Sequence, residues 1–241
     1  MDVTGIRLLT FDVVGTLIDF ERGIGDAVRT IAPTAMADVG DAALLDAFGR
    51  AEGVQQRRTP HLPFTQMLEP VYLRMATELG LPSGNGEAAA LRASIPRWPA
   101  FPDSAEALAA LGRRFRLVAL TNADRWAAAH MAATLGGPSD NPFDDMVTAE
   151  DVGVNKPDPQ MFAYCRGRQS VHGHGLADTL HVAQSQYHDI GVAARLGYRT
   201  CWIERRSGLA GTGATPAPAA VRSPDLHFTT LGGLARAVAG N

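Results

Sequence analysis

Residues 6–17 constrain the fold more than any other stretch of the chain. They run apolar through Ile6, Leu8, Leu9 and Phe11, stop at Asp12, and turn at Gly15 and Thr16. A short, nearly continuous hydrophobic run next to a turn signal reads as a buried strand of a parallel sheet. An aspartate at the carboxyl end of such a strand stands at the edge where open α/β sheets bind ligands. Asp12 is therefore the first candidate for chemistry.

The rest of the chain supplies the other strands. Residues 18–96 show helical spacing at 41–48 and 64–79 and no convincing strand, with residues 55–63 and 81–86 reading as connectors. They predict a helical insertion folded apart from the sheet. From residue 103 strands and helices alternate. Helices are expected at 103–111, 125–135 (closed by Gly136, Gly137 and Pro138), 160–168 and 188–196, and after the last strand. Strands are expected at 115–121, 143–148, 179–185, 199–203 and 226–229, with loops at 169–175 and 208–218. This alternation predicts an α/β fold with a doubly wound parallel sheet.

Composition narrows the function classes. The 241 residues are enough for one large domain, or for a core plus an inserted module. A net charge of -3 gives no electrostatic footprint for nucleic acid or for an anionic membrane. No apolar run approaches the roughly 20 residues that span a bilayer. The first five residues lack the basic and apolar regions of a secretory signal, so a cytoplasmic location is expected. Cys165 and Cys201 read as core thiols, since no metal-ligand spacing surrounds them.

Four strand ends carry polar groups: Asp12, Thr121 with Asn122, Lys156, and Gln184 through Asp189. In a doubly wound sheet these ends share one edge. A carboxylate there can attack carbon or phosphorus, a lysine can hold it ionised, and hydroxyl or amide donors can bind a substrate anion. Each has a plainer reading when taken singly. Asp12 could be a turn residue, Thr121 and Asn122 a helix cap, Lys156 a solvated loop lysine and Asp189 a dipole-compensating carboxylate. The ordered set is more specific than any of its members.

That set resembles the haloacid dehalogenase-like hydrolase superfamily over nearly the whole chain. Residues 12–17 match its nucleophile loop, 120–122 its second motif, 155–158 its third and 182–189 its fourth. The resemblance implies a Rossmann-like core over 1–16 and 97–241, with a helical cap domain over 17–96. Phosphatases of the superfamily carry a second aspartate two residues after the nucleophile, and here that position is Val14. Ala183 and Gln184 likewise stand where their acidic metal-holding motif is common, which leaves a magnesium site poor in oxygen ligands. The pattern is closer to the metal-independent 2-haloacid dehalogenases, so neither metal nor cofactor is expected.

The resemblance implies Asp12, Lys156 and Asp189 as catalytic residues. It places Thr16, Val14, Arg50, Thr121, Asn122, Phe162, Gln184, Gln186 and His188 around a small substrate bearing a carboxylate. Arg50 is the match to a cap arginine at the leaving halide, with Arg57 and Arg58 as alternatives. The expected reaction is displacement of a leaving group from the carbon alpha to the carboxylate through an aspartyl ester. The alternatives are opening of a strained ring such as azetidine-2-carboxylate, with His188 either protonating the amine or facing solvent, then a phosphatase-like hydrolase, then a non-catalytic binding protein. No nucleic-acid or membrane partner is expected, and the resemblance extends to a homodimer.

Overall fold

The computed structural model describes residues 3–137 and 141–239. Met1, Asp2 and the expected helix stop at Pro138 lie outside them. Six strands form the centre: β1 (Leu8–Phe11), β2 (Arg116–Thr121), β3 (Asp145–Thr148), β4 (Thr179–Ala183), β5 (Arg199–Ile203) and β6 (Leu226–Phe228). All pair in parallel, in the order β3-β2-β1-β4-β5-β6. The chain thus starts mid-sheet, winds outward through β2 and β3, and returns to the other side of β1 as β4. That reversal opens a crevice at the carboxyl ends of β1 and β4.

Among the described residues, four helices lie between β1 and Trp98: α1 (Phe20–Ile31), α2 (Asp41–Arg58), α3 (Phe64–Leu79) and α4 (Asn85–Ala93). The other helices are α5 (Ser104–Gly112), α6 (Arg125–Gly136), α7 (Ala149–Val152), α8 (Pro159–Ser170), α9 (Gly191–Arg195) and α10 (Leu231–Ala239). Short side chains fix the helix starts. Asp19 accepts from Arg22 N at 3.1 Å and Asp124 from Ala127 N at 2.8 Å. Asp124, rather than Thr121 or Asn122, caps α6.

One expectation changes. The 55–63 connector is only residues 59–63, because α2 continues through Gln55, Gln56, Arg57 and Arg58. Those four are good helix formers whose polarity resembles a loop, and Pro60 is what ends the run. The helical layer packs against the sheet. Val28, Leu44, Tyr72 and Leu91 join Phe11, Leu117 and Leu180 in one continuous apolar cluster. A second cluster, including Leu8, Val118, Phe162 and Cys165, covers the sheet's other face.

The chain enters and leaves the helical layer side by side. Asp19 N donates to Pro99 O at 2.8 Å and Phe101 N to Leu17 O at 3.0 Å. Trp98 seals this crossing, buried over Gly23 with its indole N–H donating to Ser94 Oγ at 2.9 Å.

Candidate active site

Asp12 follows β1 directly, and the backbone then reverses. Gly15 adopts φ +90°, a conformation that a side chain would strain, and a Cβ there would sit 3.0 Å from the Phe20 ring. The turn folds Thr16 back, so that its Oγ1 donates to Asp12 Oδ2 at 2.6 Å and accepts from Gln184 N at 2.8 Å. Thr16 is fully buried. It therefore orients Asp12 and ties the ends of β1 and β4 together, without facing the cavity.

Lys156 arrives from the other side. Its backbone is gripped by Asn122, which accepts from Lys156 N at 2.7 Å and donates to Lys156 O at 3.0 Å. Gln56 on α2 donates to the same carbonyl at 2.9 Å. The ammonium spends its three protons on Asp12 Oδ1 at 2.9 Å, Asp189 Oδ1 at 2.7 Å and Leu120 O at 2.7 Å. Three donors meet three acceptors, which lets a charge stay buried at 1% exposure.

Asp189, on the turn Gln186–Ile190 after β4, also receives His181 Nε2 at 3.0 Å. His181 Nδ1 lies 2.9 Å from Thr10 Oγ1, and Phe162 packs edge-on against the imidazole. With Asp189 ionised, His181 donates to it from Nε2. The two carboxylates then differ. Burial works against ionisation of Asp189, but Lys156 and His181 overcome it and hold its pKa at about 2. For Asp12 burial is the largest influence and prevails over Lys156, raising its pKa above the usual carboxylate value. Asp189 is the permanent anchor, and Asp12 is the more basic, more nucleophilic oxygen.

A cavity of about 40 Å³ opens onto Asp12. Its floor includes Asp12, Lys156, Asp189, Asn122, Gln184 and Ser185. Val14, Phe20 and Phe64 give an apolar wall, and Glu52, His188 and Thr215 complete the lining. His188 Nε2 stands 3.1 Å from Gln56 Oε1, and its Nδ1 3.2 Å from Ser185 Oγ. Because Gln56 gives its amide N–H to Lys156 O, its oxygen must face His188, so His188 Nε2 carries the proton. Burial pulls His188 down to about 4 and pushes Glu52 up to about 8. Glu52 and His188 lie 3.6 Å apart, too far for a charge-assisted hydrogen bond. Both are neutral at neutral pH.

The expected site residues separate accordingly. Asp12, Val14, Asn122, Lys156, Gln184, His188 and Asp189 come together at the cavity, with Thr16 behind Asp12. Four others are not brought there. Arg50 is on the outward face of α2 and pairs with Glu78. Glu52, two residues further and roughly 200° around the helix, takes the inward face instead. Arg57 and Arg58 are likewise absent from the lining. Phe162 lies beneath the His181 layer, and Thr121 is buried, its hydroxyl accepting from Ala123 N at 3.2 Å. Gln186 turns away to Arg222, exchanging hydrogen bonds with its backbone at 3.0 and 3.2 Å. Asn122, expected to bind substrate, has both ends of its amide on Lys156.

Glu52, Gln56, Phe20, Phe64, Ser185 and Thr215 were not singled out from sequence. Leu44, Phe48, Glu52 and Gln56 recur at four-residue spacing, and a carboxylate one turn beyond two apolar residues is the available signal. A divalent cation does not suit this donor set. Asp12 Oδ1 and Asp189 Oδ1 both face an ammonium that would repel it, and Val14 offers no side-chain oxygen.

A family model for haloacid dehalogenase-like hydrolases matches residues 6–197. The chain belongs to that family. Among curated relatives of this hydrolase, (S)-2-haloacid dehalogenase 4A of Burkholderia cepacia is 25% identical over 209 residues, covering 85% of each chain. L-2-haloacid dehalogenase from Xanthobacter autotrophicus superposes with a TM-score of 0.77 at 21% identity, covering 98% of this chain and 99% of that one. A further structure of that enzyme holds chloropropionic acid covalently bound. The HAD-hydrolase YfnB from Bacillus subtilis, bound to magnesium, superposes with a TM-score of 0.75 at 18% identity over 97% and 99% of the two chains. The fold is thus shared by haloacid dehalogenases and by a magnesium-bound hydrolase, and the side chains must decide between them. Among the described residues no helix is long and apolar enough to cross a membrane.

Proposed function

We propose that this hydrolase acts without metal on small 2-substituted carboxylic acids, with 2-halo acids as the first substrate class, through an ester on Asp12. The observation that carries the reading is the Lys156 ammonium 2.9 Å from Asp12 Oδ1, in a cavity where Val14 stands two residues beyond. The lysine opposes the effect of burial on this carboxylate and aims it, and valine cannot protonate an alcohol as a phosphatase requires. The names of the haloacid dehalogenase relatives agree with this reading.

In the first step an Asp12 oxygen attacks the carbon alpha to the substrate carboxylate in line with the leaving group, forming a C–O bond as the C–X bond breaks. In the second, water adds to the Asp12 carbonyl carbon and the 2-hydroxy acid departs, restoring the carboxylate. Lys156 counters the charge on Asp12, and ionised Asp189 holds Lys156. Gln184 and Thr215 are the amide and hydroxyl groups on the lining in reach of the substrate carboxylate. With Glu52 and His188 neutral, the wall does not repel that anion. Residues 17–96 act as a cap that excludes bulk water, and Gln56 latches it to the Lys156 carbonyl.

Incubation with racemic 2-chloropropionate and 2-bromopropionate tests this directly. Stoichiometric release of halide and 2-hydroxypropionate by the wild-type chain, lost in Asp12→Asn, is expected. Release of phosphate from monoesters with no action on either halo acid would contradict it.

A further inference from the structure

Among the described residues that line the cavity, Lys156 is the one cation. Lys156 is already shared by two carboxylates and a carbonyl, and Arg50 is outside the cavity paired with Glu78. What the wall does hold is Glu52, nearly buried, on the inward stripe of α2. Among the described residues its carboxyl has one polar contact, His188 Nε2 at 3.6 Å. That nitrogen already gives its proton to Gln56 and has no lone pair to offer, so a proton on Glu52 has nowhere to go except into the cavity.

We infer that Glu52 is a catalytic acid, donating its proton to the leaving atom as the bond to carbon breaks, and that the site therefore takes substrates whose leaving atom is basic. This rests on the Asp12 ester mechanism above and specifies its other half. The class is a small carboxylic acid with fluoride, or the oxygen of a three-membered cyclic ether, on its alpha carbon. Both leave poorly as bare anions and readily as the protonated species.

The balance closes. Asp12 carboxylate forms the C–O bond, the C–X electron pair moves to X, and the Glu52 proton joins it, leaving Glu52 ionised and X as HF or the ring-opened hydroxyl. Water then adds to the Asp12 carbonyl carbon and gives its proton to the Glu52 carboxylate, and collapse releases the hydroxy acid and Asp12. Glu52 ends protonated, with one water consumed. Its facing groups fit both halves of the cycle. His188 on the turn after β4 and Thr215 on the 208–218 loop are neutral, and the charged groups, Asp12, Lys156 and Asp189, lie on the cavity floor. His188, for which the sequence offers either a proton-donor role or a solvent-facing one, is the weaker candidate because its N–H is committed to Gln56.

The test compares wild type with Glu52→Gln, a neutral isostere, on 2-bromopropionate, 2-fluoropropionate and oxirane-2-carboxylate. The variant is expected to lose roughly 100- to 10,000-fold in kcat on the fluoride and ring-oxygen substrates. Its loss on bromide should be at least about tenfold smaller, since bromide needs no proton. Equal losses on all three, or none, overturn the role of Glu52 and leave the Asp12 mechanism standing. Failure of wild type on all three overturns the Asp12 reading and this inference with it. A fold-independent check is infrared spectroscopy of the unliganded wild type at neutral pH. A protonated-carboxyl band absent from the variant is expected, and identical spectra would overturn the inference.

Discussion

Lys156 Nζ stands 2.9 Å from Asp12 Oδ1 with its other two protons on Asp189 and Leu120 O. Everything that shapes the site follows from satisfying that ammonium away from water. Breaking a buried pair by removing one partner costs about 3–5 kcal/mol, because the other charge is left uncompensated. Here two carboxylates would be left. Lys156→Met is therefore expected to lower unfolding free energy by at least about 3 kcal/mol in urea and to cut kcat by roughly 100-fold or more. A variant as stable as wild type would show that the carboxylates are not both ionised.

Metal removal separates this site from a magnesium-dependent relative. Asp12 Oδ1 and Asp189 Oδ1 are already turned to Lys156, and Val14 offers no side-chain oxygen. Dialysis against EDTA is expected to leave halo-acid turnover unchanged, and added Mg²⁺ should not stimulate it. Activity that vanishes with EDTA and returns with Mg²⁺ would contradict the account.

Glu52 should leave a signature in stability as well as in rate. Burial raises its pKa from 4.5 to about 8, so between those values the folded protein holds one more proton than the unfolded chain. Its contribution to stability therefore falls as pH rises from 4.5 to about 8, and the loss is complete above that. Glu52→Gln lacks this titration. Urea denaturation should show the variant gaining on wild type across that window and holding a constant lead beyond it. A stability difference independent of pH would mean that Glu52 is ionised throughout.

Gln56 joins the helical layer to the catalytic loop, giving its N–H to Lys156 O and taking one from His188. Gln56→Ala removes both partners from a buried polar cluster. A loss of about 1–3 kcal/mol is expected in denaturant titration. A neutral outcome would imply that water or Glu52 replaces the amide without cost.

The sheet was legible in the sequence because parallel strands buried on both faces leave unbroken apolar runs, as at Leu8 and Leu9 or at Val118 and Leu120. Polar groups at their ends, Asp12, Lys156 and Asp189, then fell on one edge by topology alone. The helical wall was harder to read. Gln55, Gln56, Arg57 and Arg58 are polar whether they sit in a loop or in a helix facing a wet cavity, so α2 was read short and the inward stripe was missed. The resemblance points to Arg50, yet helix rotation faces it outward and Glu52 inward. Thr215 lies on an irregular loop, where no periodicity marks which side chain turns in. Second roles were also invisible. Spacing does not reveal that the Asn122 amide would close on the Lys156 backbone, or that Thr16 would be fully buried beneath Asp12.

The measurement that tests the central claim most directly is a single turnover of 2-chloropropionate in ¹⁸O-water with enzyme in excess, followed by mass spectrometry of the peptide that contains Asp12. Water that adds to the Asp12 carbonyl carbon leaves one labelled oxygen on the aspartate, and the first hydroxy acid released carries an unlabelled oxygen drawn from Asp12. The account predicts label in Asp12 and none in that first product. Label in the product with none in Asp12 would mean that water attacks the substrate directly, and Asp12 would not be the nucleophile.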